Sequence, residues 1–142
     1  MKAMVLAAGL GVRMRPLTLL RAKPVLPVLD RPLLEWTMGK LARAGVRDVV
    51  VNLQHLPETV ESALGSGRRF GLRIRYSREA KILGTGGGPR AVRELLGDGP
   101  FLLVNGDVLF DFDLRRLVAA HRASGAPATL ALRQNPVPYA YS

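Results

Sequence analysis

The chain alternates between short, compact apolar runs and longer amphipathic segments. The compact runs are rich in aliphatic and β-branched side chains, which is typical of strands buried on both faces of a parallel sheet. A segment ending at Tyr76 instead alternates apolar and basic residues, which predicts an edge strand with one solvent-facing side. In all, the pattern predicts strands at residues 1–6, 48–53, 72–76, 101–104 and 128–132, followed by a loose tail at 136–142.

The amphipathic segments between these runs predict helices. Prolines at positions 32, 57 and 89 suit the first turn of a helix, and Gly45, Gly65 and Gly97 suit helix ends. Asp113 is expected to be an N-cap, and Asp111 a loop residue. The predicted helices cover residues 31–44, 57–64, 89–96 and 113–121.

Strands and helices that alternate in this rhythm form βαβ units. We therefore expect an α/β fold, a Rossmann-like three-layer sandwich with a mainly parallel sheet. Ligands of such sheets bind beyond the carboxyl ends of the strands, so the loops that follow the predicted strands should converge on one site.

The loop after the first strand has the composition of a polyphosphate site. Gly9 and Gly11 let backbone N–H groups turn toward a ligand without side chains in the way. Arg13 supplies a planar fork for phosphate oxygens, and Lys23 supplies a mobile positive charge. A dinucleotide fingerprint starting at Gly9 is excluded because it would need a third glycine where Met14 stands, and no P-loop sequence occurs in the chain.

Two further segments carry candidate chemistry. Gly84, Gly86 and Gly87 precede a proline-led helix and expose backbone N–H groups suited to a base edge or a ribose. Asp107 follows a buried strand, and Gly106 before it permits close approach of a ligand. A single aspartate suits Mg²⁺, which takes one or two carboxylates together with waters and phosphate oxygens.

The composition of the chain limits the classes of molecule that it could bind. The formal net charge of +10 over 142 residues favours anionic ligands. Nucleic acid is disfavoured because aromatic residues make up only 6% and the arginines are scattered. No apolar run approaches the length of a membrane span, and Met1 leads directly into a strand, so we expect a cytoplasmic protein with no membrane partner. The chain contains no cysteine, which excludes disulfides and thiolate metal sites.

The loop sequence resembles the signature of the sugar-1-phosphate nucleotidyltransferases. Ala-Ala-Gly-x-Gly-x-Arg-x-x-Pro-Leu-Thr begins at Ala7, and Lys-Pro-x-x-Pro-Val begins at Lys23. One position departs from the pattern, because Val12 stands where the family usually has a small hydroxyl residue. The resemblance extends over the whole chain but covers only the nucleotide-binding half of the family's catalytic domain. It therefore implies that residues 1–142 form that half, with the sugar-binding half absent.

The resemblance also implies residue roles. Ala8 and Gly9 would face the glycines at 84–87 across a nucleobase, and Glu79 would read the base. A carboxylate there can accept from the ring N–H of uracil, thymine or guanine but not from cytosine. Asp107 would hold Mg²⁺, while Arg13 and Lys23 would be the catalytic cations.

The reaction implied is transfer of a nucleotidyl group from a nucleoside triphosphate to a sugar 1-phosphate. The motifs most resemble the UTP-dependent branch acting on N-acetylmuramic acid 1-phosphate, with GTP-dependent mannose-1-phosphate guanylyl transfer as the alternative. A non-catalytic nucleotide-binding regulatory module of the same fold and a nucleic-acid-binding domain are the other classes considered. An uncovered sheet edge or apolar patch would also favour self-association through residues 128–132.

Overall fold

A computed structural model describes residues 1–134, and its central feature is a four-stranded sheet. The strands are β1 (Lys2–Leu6), β2 (Pro27–Val28), β3 (Arg31–Pro32), β4 (Asp48–Leu53), β5 (Arg73–Arg78) and β6 (Phe101–Asn105). The sheet has the order β5-β4-β1-β6, and every pairing in it is parallel. The predicted parallel sheet, with an edge strand after Leu72, is confirmed.

Two compact units make up the chain, Met1–Asp111 and Phe112–Ser142. The helices are α1 (Leu33–Arg43), α2 (Pro57–Leu64), α3 (Gly84–Ala91), α4 (Arg93–Leu96) and α5 (Leu114–Ser124). Of these helices, α5 belongs to the second unit, and the Asp113 side chain caps it by accepting from the Arg115 N–H, as predicted. None of the helices within residues 1–134 combines the length and apolar character needed to cross a bilayer.

Both faces of the sheet are covered at β1 and β4 in the first unit, whereas the edge strand β6, which was predicted to be buried, leaves Phe101 and Leu103 exposed. Successive strand side chains point to opposite faces, yet Ala3, Met4 and Val5 of β1 are all fully buried. Met4 packs with Val92 and Leu96 on one face. On the other face, Leu34 of α1 and Val5 both lie against Gly106. This double burial accounts for the three-layer arrangement.

The predicted start of the first helix is wrong by two residues. Arg31 and Pro32 pair antiparallel with β2 to form a small hairpin, in which Leu29 adopts a left-handed φ of 60°. Pro32 is therefore the N-cap of α1 and not its first helical residue. The hairpin preceding α1 was not predicted because two-residue strands leave no periodicity in the sequence.

The predicted helix at 89–96 ends at Leu96 as expected, but its predicted start and its continuity are wrong. α3 begins at Gly84, so Pro89 lies inside it, and a break at Val92 separates α3 from α4. Pro89 has no N–H to donate within the helix, which weakens the helix close to the break. Glycines normally disfavour a helix, but here Gly88 is buried against other elements, and this packing overrides its propensity.

The predicted strand at 128–132 does not form. Residues 125–134 contain no helix or strand, and Leu130 and Leu132 are exposed. The predicted tail at 136–142 lies outside the described residues. The apolar residues at 128–132 therefore have no strand partner within residues 1–134, and a short apolar run without one has little to stabilise it as a strand.

Candidate functional site

A cleft of about 210 Å³ opens at the carboxyl ends of the strands. It lies where the strand order reverses, with β4 on one side of β1 and β6 on the other. Its lining comes from the last residues of β1, β4 and β6, from the segments that follow β1, β5 and β6, and from the start of α3: Leu6, Ala8, Gly9, Lys23, Pro24, Asn52, Glu79, Ile82, Gly84, Thr85, Asn105 and Asp107. The expected convergence of the three candidate segments is confirmed.

The loop after β1 folds back on itself through Gly11. This glycine has a left-handed φ of +63°, and a Cβ on it would lie 2.7 Å from Thr18 Cγ2. Thr18 is buried and its Oγ1 donates to the Gly11 carbonyl over 2.9 Å. His55 Nε2 lies 2.7 Å from the Thr18 carbonyl oxygen, so this histidine makes a structural contact with the loop. Gly11 thus shapes the loop that carries Lys23.

Some predicted site residues lie outside the cleft lining. Arg13 occupies an exposed 3-10 turn, Val12–Met14, and its side chain makes no hydrogen bond or ion pair within residues 1–134. Gly86 and Gly87 belong to α3, and a Cβ on Gly87 would lie 2.8 Å from Leu83 Cβ. The structure brings together Ala8, Gly9, Lys23, Glu79, Gly84 and Asp107, while Gly11, Arg13, Gly86 and Gly87 do not line the cleft.

Lys23 and Asp107 form an ion pair within the cleft lining. Lys23 Nζ lies 2.5 Å from Asp107 Oδ2, and the two side chains are 27% and 38% exposed. Asp107 is held there by Gly106, whose N–H donates to the Leu6 carbonyl over 2.8 Å. A Cβ on Gly106 would lie 2.8 Å from that same oxygen, so the close approach of β6 to β1 requires glycine at this position.

A metal at this site would be held by few protein groups. Within residues 1–134, no three or more His, Cys, Asp or Glu side chains are grouped as a metal site. Asp107 alone nevertheless fits Mg²⁺, because that ion binds through one or two carboxylates and takes its other ligands from phosphates and water. Asp111 instead pairs with Lys40 at 3.0 Å.

Asn52 of β4, for which the sequence predicted no role, also lines the cleft. Asn52 is 3% exposed, and its Oδ1 accepts from the Ala7 N–H over 2.9 Å. Its Nδ2 donates to Glu79 Oε1 over 2.7 Å, and Glu79 Oε2 accepts from the Leu83 N–H over 2.9 Å. A polar residue inside the buried run Val-Val-Val-Asn-Leu was the available signal for this role, since buried polar side chains require partners.

Strong electrostatic effects also occur away from the residues that line the cleft. The Arg73 guanidinium bonded to Asp48 lowers the pKa of that carboxyl, and Arg78 does the same for the pKa of Glu61. Burial raises the pKa of Tyr76 to about 12. These shifts mark structural contacts of the sheet and α2, because none of these side chains lines the cleft.

Comparison with known proteins agrees with this geometry. The chain is 47% identical over 141 residues to the N-acetylmuramate alpha-1-phosphate uridylyltransferase of Neisseria meningitidis, covering 96% of this chain and 60% of that protein. It is 40% identical over 130 residues to the mannose-1-phosphate guanylyltransferase of Mycobacterium tuberculosis, covering 92% of this chain and 36% of that protein. The chain therefore spans 36% to 60% of the length of these curated relatives.

A solved structure shares the fold. It is a protein from Bacillus anthracis assigned as a glucose-1-phosphate thymidylyltransferase, with a TM-score of 0.80 and 28% identity. The match covers 86% of this chain and 50% of that one. The family model described as nucleotidyl transferase matches residues 2–141. With its parallel sheet and its cleft at the strand ends, the chain belongs to the nucleotidyl transferase family.

Proposed function

We propose that residues 1–142 form the nucleotide-binding half of a sugar-1-phosphate nucleotidyltransferase. The observation that carries the proposal is the convergence of Ala8, Gly9, Lys23 and Asp107 on one cleft at the strand ends. Backbone N–H groups and a lysine there can neutralise phosphate oxygens, and an adjacent carboxylate can hold the accompanying cation. The names of the relatives support a sugar 1-phosphate as the acceptor.

The proposed reaction needs no protein nucleophile. An oxygen of the sugar 1-phosphate attacks the α-phosphorus of the nucleoside triphosphate, and the bond to the bridging oxygen of pyrophosphate breaks. Lys23 stabilises charge at the α-phosphate and the incoming phosphate, and Arg13 stabilises the leaving pyrophosphate. Arg13 is exposed beside the loop in this structure, so it would have to turn toward the bound phosphates to act.

Sugar nucleotidyltransferases generally use a divalent metal. When bound at Asp107, Mg²⁺ would supply positive charge against the phosphates. Lys23 is ion-paired with that carboxylate in this structure. The lysine therefore leaves Asp107 and binds the phosphates as the nucleotide enters. The chain's own contribution is to align the triphosphate and to balance its charge.

Base preference is proposed to favour UTP. Glu79 lines the cleft as an acceptor, which suits a base with a ring N–H and disfavours cytosine. The uridylyltransferase relative at 47% identity supports UTP. The guanylyltransferase relative keeps GTP and mannose 1-phosphate as the second candidate, because guanine also carries a ring N–H. A regulatory nucleotide-binding module would share the cleft but would show no turnover with any acceptor.

The proposal also covers location and assembly. A cytoplasmic location would supply the nucleoside triphosphates, and no nucleic-acid or membrane partner is proposed. Self-association through 128–132 would not use a preformed strand, because residues 125–134 form no helix or strand.

The test is a calorimetric titration of the chain with UTP, GTP, dTTP and CTP in the presence of Mg²⁺. Arg13→Ala should weaken UTP binding by about 1–3 kcal/mol, the cost of losing a charge-assisted contact. Arg43→Ala, which removes the same charge from the exposed last turn of α1, is the matched control and should leave affinity unchanged. Equal affinity of the Arg13 variant and the wild type would remove Arg13 from the site, and absence of binding by any triphosphate would contradict the proposed function.

A further inference from the structure

The buried amide of Asn52 is fixed in one orientation. The Ala7 N–H can only donate, so the amide atom facing it must be the oxygen Oδ1. Nδ2 is then turned toward Glu79 and donates to Oε1 over 2.7 Å. Asn52 is 3% exposed, so water does not compete for these contacts, and its orientation is set by the protein alone.

This amide in turn fixes the carboxylate of Glu79. One oxygen accepts from Asn52, and the other accepts from the Leu83 N–H at the start of α3. Two donors that hold the two oxygens leave the carboxylate plane little freedom to rotate. Each oxygen keeps a further lone pair, and because Glu79 lines the cleft it presents acceptors there.

Helix α3 packs directly against this hydrogen bond at Gly88. Gly88 is buried, and a Cβ built on it would lie 3.1 Å from Asn52 Nδ2 and 3.5 Å from Glu79 Oε1. The same Cβ would lie 3.2 Å from Met4 Cε of β1. A side chain at Gly88 would therefore press on the Asn52–Glu79 hydrogen bond, so the packing of α3 against this bond depends on a glycine at that position.

We propose that Asn52 is a positioning residue that sets base preference by holding Glu79 as a hydrogen-bond acceptor in the cleft. Asn52 acts through Glu79 and need not contact the base. The inference rests on the proposed function, since it assumes that a nucleobase occupies the cleft beside Glu79. It predicts that exchanging donor and acceptor between the two residues preserves the arrangement, whereas changing either one alone destroys it.

The experiment compares the full chain with Asn52→Asp, Glu79→Gln and the double variant. In Asn52→Asp the Ala7 N–H keeps its acceptor, but two carboxylates then face each other, and Glu79 is driven from its place. Calorimetry with UTP and CTP should show that the ratio of their dissociation constants falls about tenfold toward equality, the effect of losing one charge-assisted hydrogen bond. Glu79→Gln alone should also lose preference, because a single amide cannot accept from both Asn52 and Leu83.

The double variant gives the decisive result. Its new amide at position 79 can donate to the new carboxylate at position 52, while the amide oxygen still accepts from the Leu83 N–H and keeps a lone pair for the base. The UTP preference should therefore recover to within about threefold of the wild type, a smaller loss than in either single variant. The inference is overturned if Asn52→Asp has the same ratio of CTP to UTP dissociation constants as the wild type. It is also overturned if the double variant loses as much UTP preference as the two single variants combined.

A further variant tests the inference if the variants at Asn52 and Glu79 fold poorly. Gly88→Ala keeps both Asn52 and Glu79 but presses on their hydrogen bond, so the UTP preference should fall about threefold. Gly39→Ala in α1, whose added Cβ would meet only Arg43 at 3.7 Å, is the control and should not change it. Unchanged preference in Gly88→Ala counts against the inference. Failure of the wild type to bind any triphosphate would instead overturn the proposed function, so the two failures are distinguishable.

Discussion

The two ends of the parallel sheet both carry charged side chains, but they use them differently. At the carboxyl end, Lys23 and Asp107 pair within the lining of a cleft of about 210 Å³. At the amino end, Asp48 and Arg73 pair beside a hollow of about 40 Å³ that Lys2 and Arg75 also line. Both ends therefore hold ion pairs, and only their surroundings distinguish a candidate site from a structural contact.

The two ends differ in how many hydrogen bonds hold each positively charged side chain. At the amino end Arg73 binds Asp48 through two nitrogens, at 2.8 and 2.9 Å, and Lys2 donates to the Leu95 carbonyl over 2.7 Å. These contacts join neighbouring strands to each other and β1 to the end of α4. At the carboxyl end, within residues 1–134, the side chain of Lys23 in the glycine-bearing loop after β1 makes a single hydrogen bond, to Asp107. A lysine held by a single contact can exchange it for a phosphate, whereas a bidentate arginine has less reason to do so.

The largest difference should appear when each cation is removed in turn. Lys23→Met should weaken UTP binding by about 1.5–3 kcal/mol because a charged contact to phosphate is lost, while the free energy of unfolding changes by less than about 1 kcal/mol. Arg73→Met should leave UTP affinity unchanged and lower stability slightly. Calorimetry and urea unfolding on both variants measure the two quantities, and equal losses of UTP affinity would erase the proposed distinction between the ends.

A smaller effect should separate two glycines at opposite ends of β6. Gly106→Ala places a Cβ 2.8 Å from the Leu6 carbonyl and should lower the free energy of unfolding by about 1–3 kcal/mol, as overpacking does. Gly99→Ala, before the start of β6, meets nothing within 4 Å and should be neutral or stabilising by about 0.4–1 kcal/mol. Urea unfolding of the two variants provides the comparison, and a Gly106 variant as stable as the wild type would show that β6 can move away from β1 without cost.

The smallest effect concerns acid stability at the amino end. The hydrogen bond from Arg73 lowers the pKa of Asp48 below its usual 3.8, so this pair stabilises the fold above that pH, and the stabilisation is lost as pH falls through the lower, folded-state value. Asp48→Asn and Arg73→Gln should both remove this part of the acid dependence and should change stability only slightly at neutral pH, because the pair lies at the surface. Urea midpoints measured from about pH 6 to pH 2 test the sign. A wild type whose stability does not fall more steeply than that of either variant would contradict it.

Much of the candidate site could be predicted because it depends on local chemistry at strand ends. Ala8, Gly9, Lys23 and Asp107 follow apolar runs that the hydrophobic pattern identifies, and parallel strands bring their carboxyl ends to one edge. Arg13 matches the loop motif and Gly87 belongs to the glycine segment before Pro89, but neither lines the cleft, since a motif gives the spacing of residues and not the direction in which the backbone turns. The roles of the residues in binding stay predictions.

The start of α3 shows what local reasoning missed. Glycines followed by a proline at position 89 resemble a loop before a helix, and the helix propensities of these residues agree with that interpretation. The structure begins the helix at Gly84 because Glu79 accepts from the Leu83 N–H and Gly88 packs against Asn52. The first contact is local, but the second joins α3 to β4, and a contact between elements so far apart in the chain is contained in no local pattern.

By itself, the sequence determined the order of the main elements, the parallel sheet, and the edge at which the loops meet. These features follow from burial periodicity and from glycine positions, which act over a few neighbouring residues. Only the tertiary structure decided that Asn52 holds Glu79, that Lys23 pairs with Asp107 across 84 positions, and that residues 128–132 form no strand. A hydrogen bond or an ion pair between distant segments depends on where the packed sheet places them, and that placement is a property of the whole fold.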